Sequence, residues 1–424
     1  MLDAMGGRVR AIAAAVAATV ALGACTGDGS PAPSTTTTTP ATTAPERFAR
    51  GEPDGVLTIG VLLPRTGAGA TLGQPLIDVI TEAVQAVNEA GGIGGRNVEI
   101  RPFDEAAPAS VDDLLGDPSI DAVIGPASSR NALSMLPTIT DAGVAACSPT
   151  ATSISLTEMP DHGLFFRTVP SDALQAQMMA LVIDQTGLGS TSLVYTDDVY
   201  GRPFSAAAHA ALDLLHVPVV AEMAYSPDDE DFTEEAAAIV AASPPAVAMI
   251  GDAESGGRMV AAILEAGGNA PTIVANDAIR LADFGTRIDP AALAKQVTGV
   301  SVSAYGGQDE LATILPPELV PAAFAAAAVD CVNLLALGAV VAESPDDPAR
   351  IVAEALALSV GGVPCNSFAA CRASMEAGLE FDYNGPTRLL ALDATGDVTR
   401  AMFDLYGFDE SGNDISTKSV EFGS

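Results

Sequence analysis

The chain of 424 residues has no tryptophan, and aromatic residues make up only 4% of it. A core without large rings must rest on Leu, Ile, Val and close alanine contacts, and a hydrophobic content of 48% is enough to build one. Basic residues are also scarce, with 19 Lys and Arg against 54 Asp and Glu, a formal net charge of −35. Such a chain repels nucleic acid and offers no basic stripe to follow a phosphate backbone. It also disfavours anionic lipid headgroups, so any membrane attachment needs another cause. Histidine is limited to His162, His209 and His216. With no Cys or carboxylate read at ligand spacing around His209 and His216, no metal site is expected. The signatures GxxxxGK[ST], GxSxG and HExxH are missing, which argues against an enzyme, and no cofactor is expected.

The N-terminus supplies the other cause. Arg8 and Arg10 precede an apolar run from Ala11 to Gly23, too short to span a bilayer comfortably. It ends in Leu22-Gly23-Ala24-Cys25, which resembles the bacterial lipobox, so residues 1–24 read as a signal peptide and Cys25 as the acylated first residue of a membrane-anchored lipoprotein. Residues 25–54 are rich in Thr, Pro, Ser and Gly, lack the apolar groups a fold requires, and read as a tether. Beyond Cys25 four cysteines remain, an even number that favours disulfides in an exported chain. Cys365 and Cys371 lie close together in a turn-rich stretch and would pair, leaving Cys147 with Cys331 by elimination. Two buried free thiols are the alternative for that second pair.

From Val56 onward apolar strands alternate with amphipathic helices through about Ala275. This rhythm predicts α/β architecture with parallel sheets and right-handed crossovers. The last third breaks it, with a strand over 297–302, helices over 322–342 and 348–359, and a late hairpin of Leu389–Leu392 with Met402–Tyr406. Gly67 to Gly73 has GxGxxxG spacing, one residue longer than the dinucleotide fingerprint, so a nucleotide site is not expected.

The polar groups that stand out follow strand ends. Ser128 and Ser129 could cradle a carboxylate at a helix start or simply cap that helix. Pro149 to Ser153, containing Ala151 and Thr152, is a second loop of this kind, and open α/β sheets bind ligands where such loops adjoin. Asp277 follows a strand and could hold an ammonium, and Tyr200 could form a wall over a ligand; a turn and ordinary packing are their plainer roles. No titratable pair of the sort an enzyme needs is visible.

Taken in order, these pieces resemble a family. Ile59-Gly60-Val61-Leu62-Leu63-Pro64, Val87 to Arg96, Ile124 to Ser129, Ser148 to Ser153, Phe165-Phe166-Arg167-Thr168 and Asp197 to Gly201 are similar to segments of the type 1 periplasmic binding proteins of the leucine/isoleucine/valine kind. The resemblance implies two doubly wound parallel-sheet lobes joined by three crossovers, with lobe 1 over 55–168 and 304–384 and lobe 2 over 169–303 and 385–424. It implies a ligand in the cleft, an amino acid, amide or similar small polar molecule. Ser128, Ser129, Ala151 and Thr152 would hold its carboxylate and amine, and Tyr200 and Asp277 would close over it from the second lobe. The loop with Asp252 is acidic where relatives often carry an aromatic or apolar group, which leaves room for a cationic or amide ligand. The family further implies a monomer that delivers its ligand to ABC permease subunits at the outer face of the cytoplasmic membrane, with a sensor lacking a transport role as the alternative.

Overall fold

Residues 58–63 are all buried in the first sheet, as an apolar run covered on both faces must be. The computed structural model describes residues 53–423 apart from 68, 253, 267–270, 281–283, 285–287, 289–290, 304–306, 321 and 360. The signal segment, Cys25 and nearly all of the tether lie outside the described residues. The first series of elements is β1 (Thr58–Leu63), α1 (Ala70–Glu89), β2 (Glu99–Asp104), α2 (Ser110–Leu115), β3 (Ala122–Ile124), α3 (Ser129–Asp141), β4 (Ala145–Ser148) and β5 (Phe165–Arg167). Its strands form a wholly parallel sheet in the order β2-β1-β3-β4-β5.

The second series runs α4 (Asp172–Thr186), β6 (Thr191–Thr196), α5 (Gly201–Leu214), β7 (Val219–Tyr225), α6 (Thr233–Ala241), β8 (Ala246–Ile250), α7 (Ser255–Glu265), β9 (Thr272–Ala275) and β10 (Val297–Val302). After it come α8 (Gln308–Leu311), α9 (Ala325–Val341), α10 (Pro348–Ala357), β11 (Val363–Cys365), α11 (Phe368–Glu376), β12 (Phe381–Tyr383), β13 (Arg400–Phe408) and β14 (Asp414–Gly423). The second sheet has the order β14-β13-β10-β9-β8-β6-β7. Its five parallel strands, read as β7-β6-β8-β9-β10, repeat the strand order of the first sheet. In each, the order reverses beside the first strand, and open sheets of this topology bind ligands in the crevice beyond the strand ends there.

The chain passes between the sheets three times, after β5, after β10 and after β12. Helix α9 returns to the first sheet; it is buried on every face from Ala325 to Ala339, so it runs through the core rather than along its surface. The Cys147–Cys331 disulfide ties it to β4, and the second bridge joins Cys365 to Cys371, the pairing expected from the sequence. The three passages lie side by side. The Thr168 hydroxyl donates to Ala327 O at 2.8 Å, Ser303 N donates to Met402 O at 2.9 Å, and Pro170 bridges to Val398. They enclose a cavity of about 50 Å³ lined by Thr168, Pro170, Ser303, Asp330, Thr387 and Arg400 among others. Asp330 accepts from the Tyr383 hydroxyl at 2.7 Å beside this cavity, and burial pushes its carboxyl up to about 7 against that hydrogen bond.

The late hairpin is not the one expected. Leu389–Leu392 forms no strand: Leu390 N donates to Asn384 O, and Leu392 N to the Ser359 hydroxyl. The partner of β13 is β14, antiparallel, after a turn in which the Asp409 carboxylate accepts from Ser411 N and Asn413 N. Strand β14 is largely exposed and polar, so it carries none of the apolar alternation by which a strand is recognised.

Candidate functional site

The loops that leave β2, β3 and β4 at one end of the first sheet are built around internal hydrogen bonds. Gly125, after β3, has φ 119°, and a Cβ there would lie 2.0 Å from Leu62 O, so only glycine lets the chain turn this close to β1. The turn brings Ala127 and Ser128 over Glu105, which follows β2 and is 3% exposed. The Glu105 carboxylate accepts from Ala127 N at 2.7 Å, Ser128 N at 3.2 Å and Asn131 Nδ2 at 2.7 Å. The Ser128 hydroxyl is exposed and caps α3 by accepting from Asn131 N. Ser129 instead reaches the neighbouring loop, where its Oγ accepts from Thr152 N at 3.2 Å and Ser153 N at 3.1 Å.

Arg167, with no exposed surface, locks that second loop from beneath. It donates to Ser153 O at 2.8 Å and Thr157 Oγ1 at 2.9 Å, more weakly to Ala151 O at 3.4 Å, and its Nε meets Asp397 Oδ1 at 2.7 Å. The guanidinium charge is thereby balanced within the protein, and the loop carrying Ala151 and Thr152 is held in one shape.

The second sheet contributes from the corresponding strand ends. Beyond β6, Asp198 Oδ1 accepts from Tyr200 N and Gly201 N and so sets the start of α5. The Tyr200 hydroxyl accepts from Asn276 Nδ2 at 2.9 Å, while Asn276 O accepts from the Tyr406 hydroxyl at 2.7 Å. Gly299 makes this possible, since a Cβ there would fall 2.2 Å from the Tyr406 ring. Next to Asn276, Asp277 Oδ1 accepts from Gln175 Nε2 at 3.1 Å, and the same Gln175 nitrogen donates to Val300 O at 2.6 Å.

Asp172, at the start of α4, joins the two halves. Its N–H donates to Thr152 O at 2.8 Å, and its carboxylate is 1% exposed. No donor meets either carboxylate oxygen with hydrogen-bond geometry, and Gln175 Oε1 is buried in the same condition. Burial, reinforced by the Asp277 charge, pushes the Asp172 carboxyl up to about 8 against the opposing pull of Arg167 and the nearby Thr152 hydroxyl. Asp277 is also raised, by burial, with the Gln175 hydrogen bond opposing. Tyr200 is raised by burial and then by both aspartates, so the three groups share one low-dielectric space.

The residues expected at the site therefore divide. Ser129, Ala151, Thr152, Tyr200 and Asp277 converge, with Asp172 and Gln175 between them. Ser128 lies at the edge as a cap. Asp252 caps α7, accepting from Ser255 N at 2.7 Å and Ser255 Oγ at 2.5 Å, and no hydrogen bond or ion pair links it to the aspartate pair. Two readings of the sequence need correction. A titratable pair does exist, Asp172 with Asp277; the two are 105 positions apart in the numbering and only the fold brings them together. His209 does have carboxylates within reach, Asp213 one turn on and Glu222 on β7, but all three are exposed and form a surface ion-pair group. Across the mouth of the cleft, Arg130 on α3 stands 3.8 Å from Asp198.

Comparison with known proteins places this geometry. The profile of the family described as periplasmic binding protein matches residues 56–368. The Leu/Ile/Val-binding protein BraC3 of Rhizobium johnstonii is 28% identical over 310 residues, 71% of this chain and 83% of that protein. Leu/Ile/Val-binding protein homolog 3 of Brucella melitensis is 28% identical over 217 residues, half of this chain, and the match spans only 58% of that relative's length. Among solved structures, the branched-chain amino acid transporter substrate binding protein LivJ from Streptococcus pneumoniae, in complex with isoleucine, has a TM-score of 0.65 at 20% identity, covering 87% of this chain and 100% of that one. A solute binding protein from R. palustris in complex with 4-hydroxybenzoate has a TM-score of 0.66 at 17% identity, covering 87% and 97%. These likenesses establish the fold, and the profile establishes descent: the chain belongs to the periplasmic binding protein family.

Proposed function

We propose that the protein is the extracytoplasmic solute-binding component of an ABC importer, holding an amino acid or a related small polar amine between its two lobes and performing no chemistry on it. The observation that carries this reading is the convergence of Thr152 from one sheet with Asp172, Tyr200 and Asp277 from the other on a single buried space. Groups from both lobes meet there, so a ligand that fills it joins the lobes and favours their closure. Closure excludes water and strengthens each charged contact. The division into lobes at 168/169, 303/304 and 384/385 fits the ends of β5, β10 and β12, and the ligand-binding names of the relatives accord with it.

Lipidation at Cys25 would keep this monomeric carrier at the outer face of the membrane within reach of permease subunits. The tether of residues 25–54 gives it the freedom to dock.

The test is equilibrium titration of the purified protein with amino acids and small amines, together with Asp277→Asn. A ligand bound by the wild type and weakened at least about 30-fold by the substitution supports the cleft. Unchanged affinity removes Asp277 from the site. For the anchor, Cys25→Ser should release the protein into the soluble fraction.

A further inference from the structure

We infer that the ligand is a dicationic amine without a carboxylate, such as a diamine or a guanidino-amine, gripped by Asp172 and Asp277 together. The inference rests on the cleft being the ligand site and concerns which molecule that site selects. It follows from counting which hydrogen-bonding groups are already used. Several backbone donors that could cradle a ligand carboxylate are taken within the protein: Ala127 N and Ser128 N by Glu105, Asn131 N by Ser128, and Thr152 N and Ser153 N by Ser129. The guanidinium of Arg167 is bound to Asp397 and to the loop beneath.

The buried side-chain atoms of the site that lack a partner are acceptors. Both Asp172 oxygens and Gln175 Oε1 are buried with no donor, and Asp277 Oδ1 accepts from the Gln175 amide. Buried acceptors without donors are costly, and a ligand that supplies several N–H groups recovers that cost on binding.

Charge leads to the same class. Arg167 and Asp397 cancel, so the two aspartates, when ionised, leave the closed space with two uncompensated negative charges. A zwitterionic aliphatic amino acid brings no net charge and adds a carboxylate beside them. A dication neutralises the pair, and the Tyr200 ring offers its stem or a guanidinium an aromatic face.

The experiment is isothermal titration of the full chain, purified in detergent, with putrescine, agmatine, lysine, arginine, leucine and isoleucine. The expected order places putrescine or agmatine at least about 100-fold tighter than leucine, with lysine and arginine between them. Asp172→Asn and Asp277→Asn should each weaken the dication at least about 30-fold while leaving the circular dichroism spectrum unchanged. Leucine or isoleucine binding more tightly than both dications, and weakened by Asp277→Asn, overturns the ligand class and keeps the cleft. Binding of any probe that both substitutions leave unaltered overturns the cleft reading itself, and so does the absence of binding by all six. Should either Asn variant fail to fold, Tyr200→Ala with the same titrations keeps the comparison open, with loss of dication affinity expected.

Discussion

Replacing Asp172 with Asn should make the ligand-free protein more stable while weakening its hold on the ligand. In the folded state burial lifts this carboxyl from an ordinary 3.8 to about 8. The folded form thus holds a proton that the unfolded form has released across that interval, and stability falls as pH rises from about 4 to about 8. A gap of this size corresponds to roughly 6 kcal/mol at most. The N-terminal peptide dipoles of α4 favour the ionised form by about 1 kcal/mol, too little to reverse the sign. Asn carries no charge but still needs hydrogen bonds, which returns about 1–3 kcal/mol of the gain. The net expectation at pH 8 is a stabilisation of about 3 kcal/mol, visible as a rise of a few degrees in melting temperature. Melting curves from pH 5 to 8.5 should slope downward for the wild type and flatten for the variant. The surrounding titratable groups are Asp277 after β9, Arg167 in β5, Tyr200 before α5 and Tyr406 in β13; Asp277 is the other carboxyl that burial raises, so Asp277→Asn controls for it. A variant that melts lower than the wild type at pH 8, or that keeps the wild-type slope, refutes the burial of an ionisable, unpaired carboxyl at this place.

Arg167→Ala should cost about 3–5 kcal/mol, because it leaves Asp397 without its buried partner and frees the loop of Ala151 and Thr152; denaturant midpoints measure it. Asp397→Asn should cost less, since the arginine keeps its other acceptors. The Cys147–Cys331 bridge closes a loop of 184 residues and contributes about 5 kcal/mol at most, against about 2 kcal/mol for Cys365–Cys371. Paired serine variants should therefore lower the melting temperature in that order. Glu105→Ala leaves Ala127 N, Ser128 N and Asn131 Nδ2 without their acceptor; it should destabilise by about 1–3 kcal/mol and be partly rescued by added formate, read by thermal shift.

Much of the fold was legible because it is periodic. The apolar runs of β1, β8 and β9 and the spacing of Leu76, Ile80, Val84 and Val87 on α1 are direct consequences of burial on both faces or on one. Strand β14 was illegible for the opposite reason, being an exposed edge. The site was half legible. Thr152, Tyr200 and Asp277 follow strands, and strand ends at a reversal of strand order are where crevices form. Asp172 escaped because an aspartate after serine at a helix start ordinarily serves the helix, and nothing local distinguishes that role from burial against a distant carboxylate. Glu105 escaped similarly, as one acid in a loop of small residues. Asp252, an acid at a strand end, caps the adjoining helix.

A crystal structure of the full chain with its tightest-binding solute gives the most direct reading of the cleft. The expected result is one solute molecule between the two sheets, with nitrogen atoms within hydrogen-bond distance of Asp172 and Asp277 and the Tyr200 ring against it. A solute bound on one lobe alone, or at the cavity between the crossovers with the aspartate pair untouched, would contradict it.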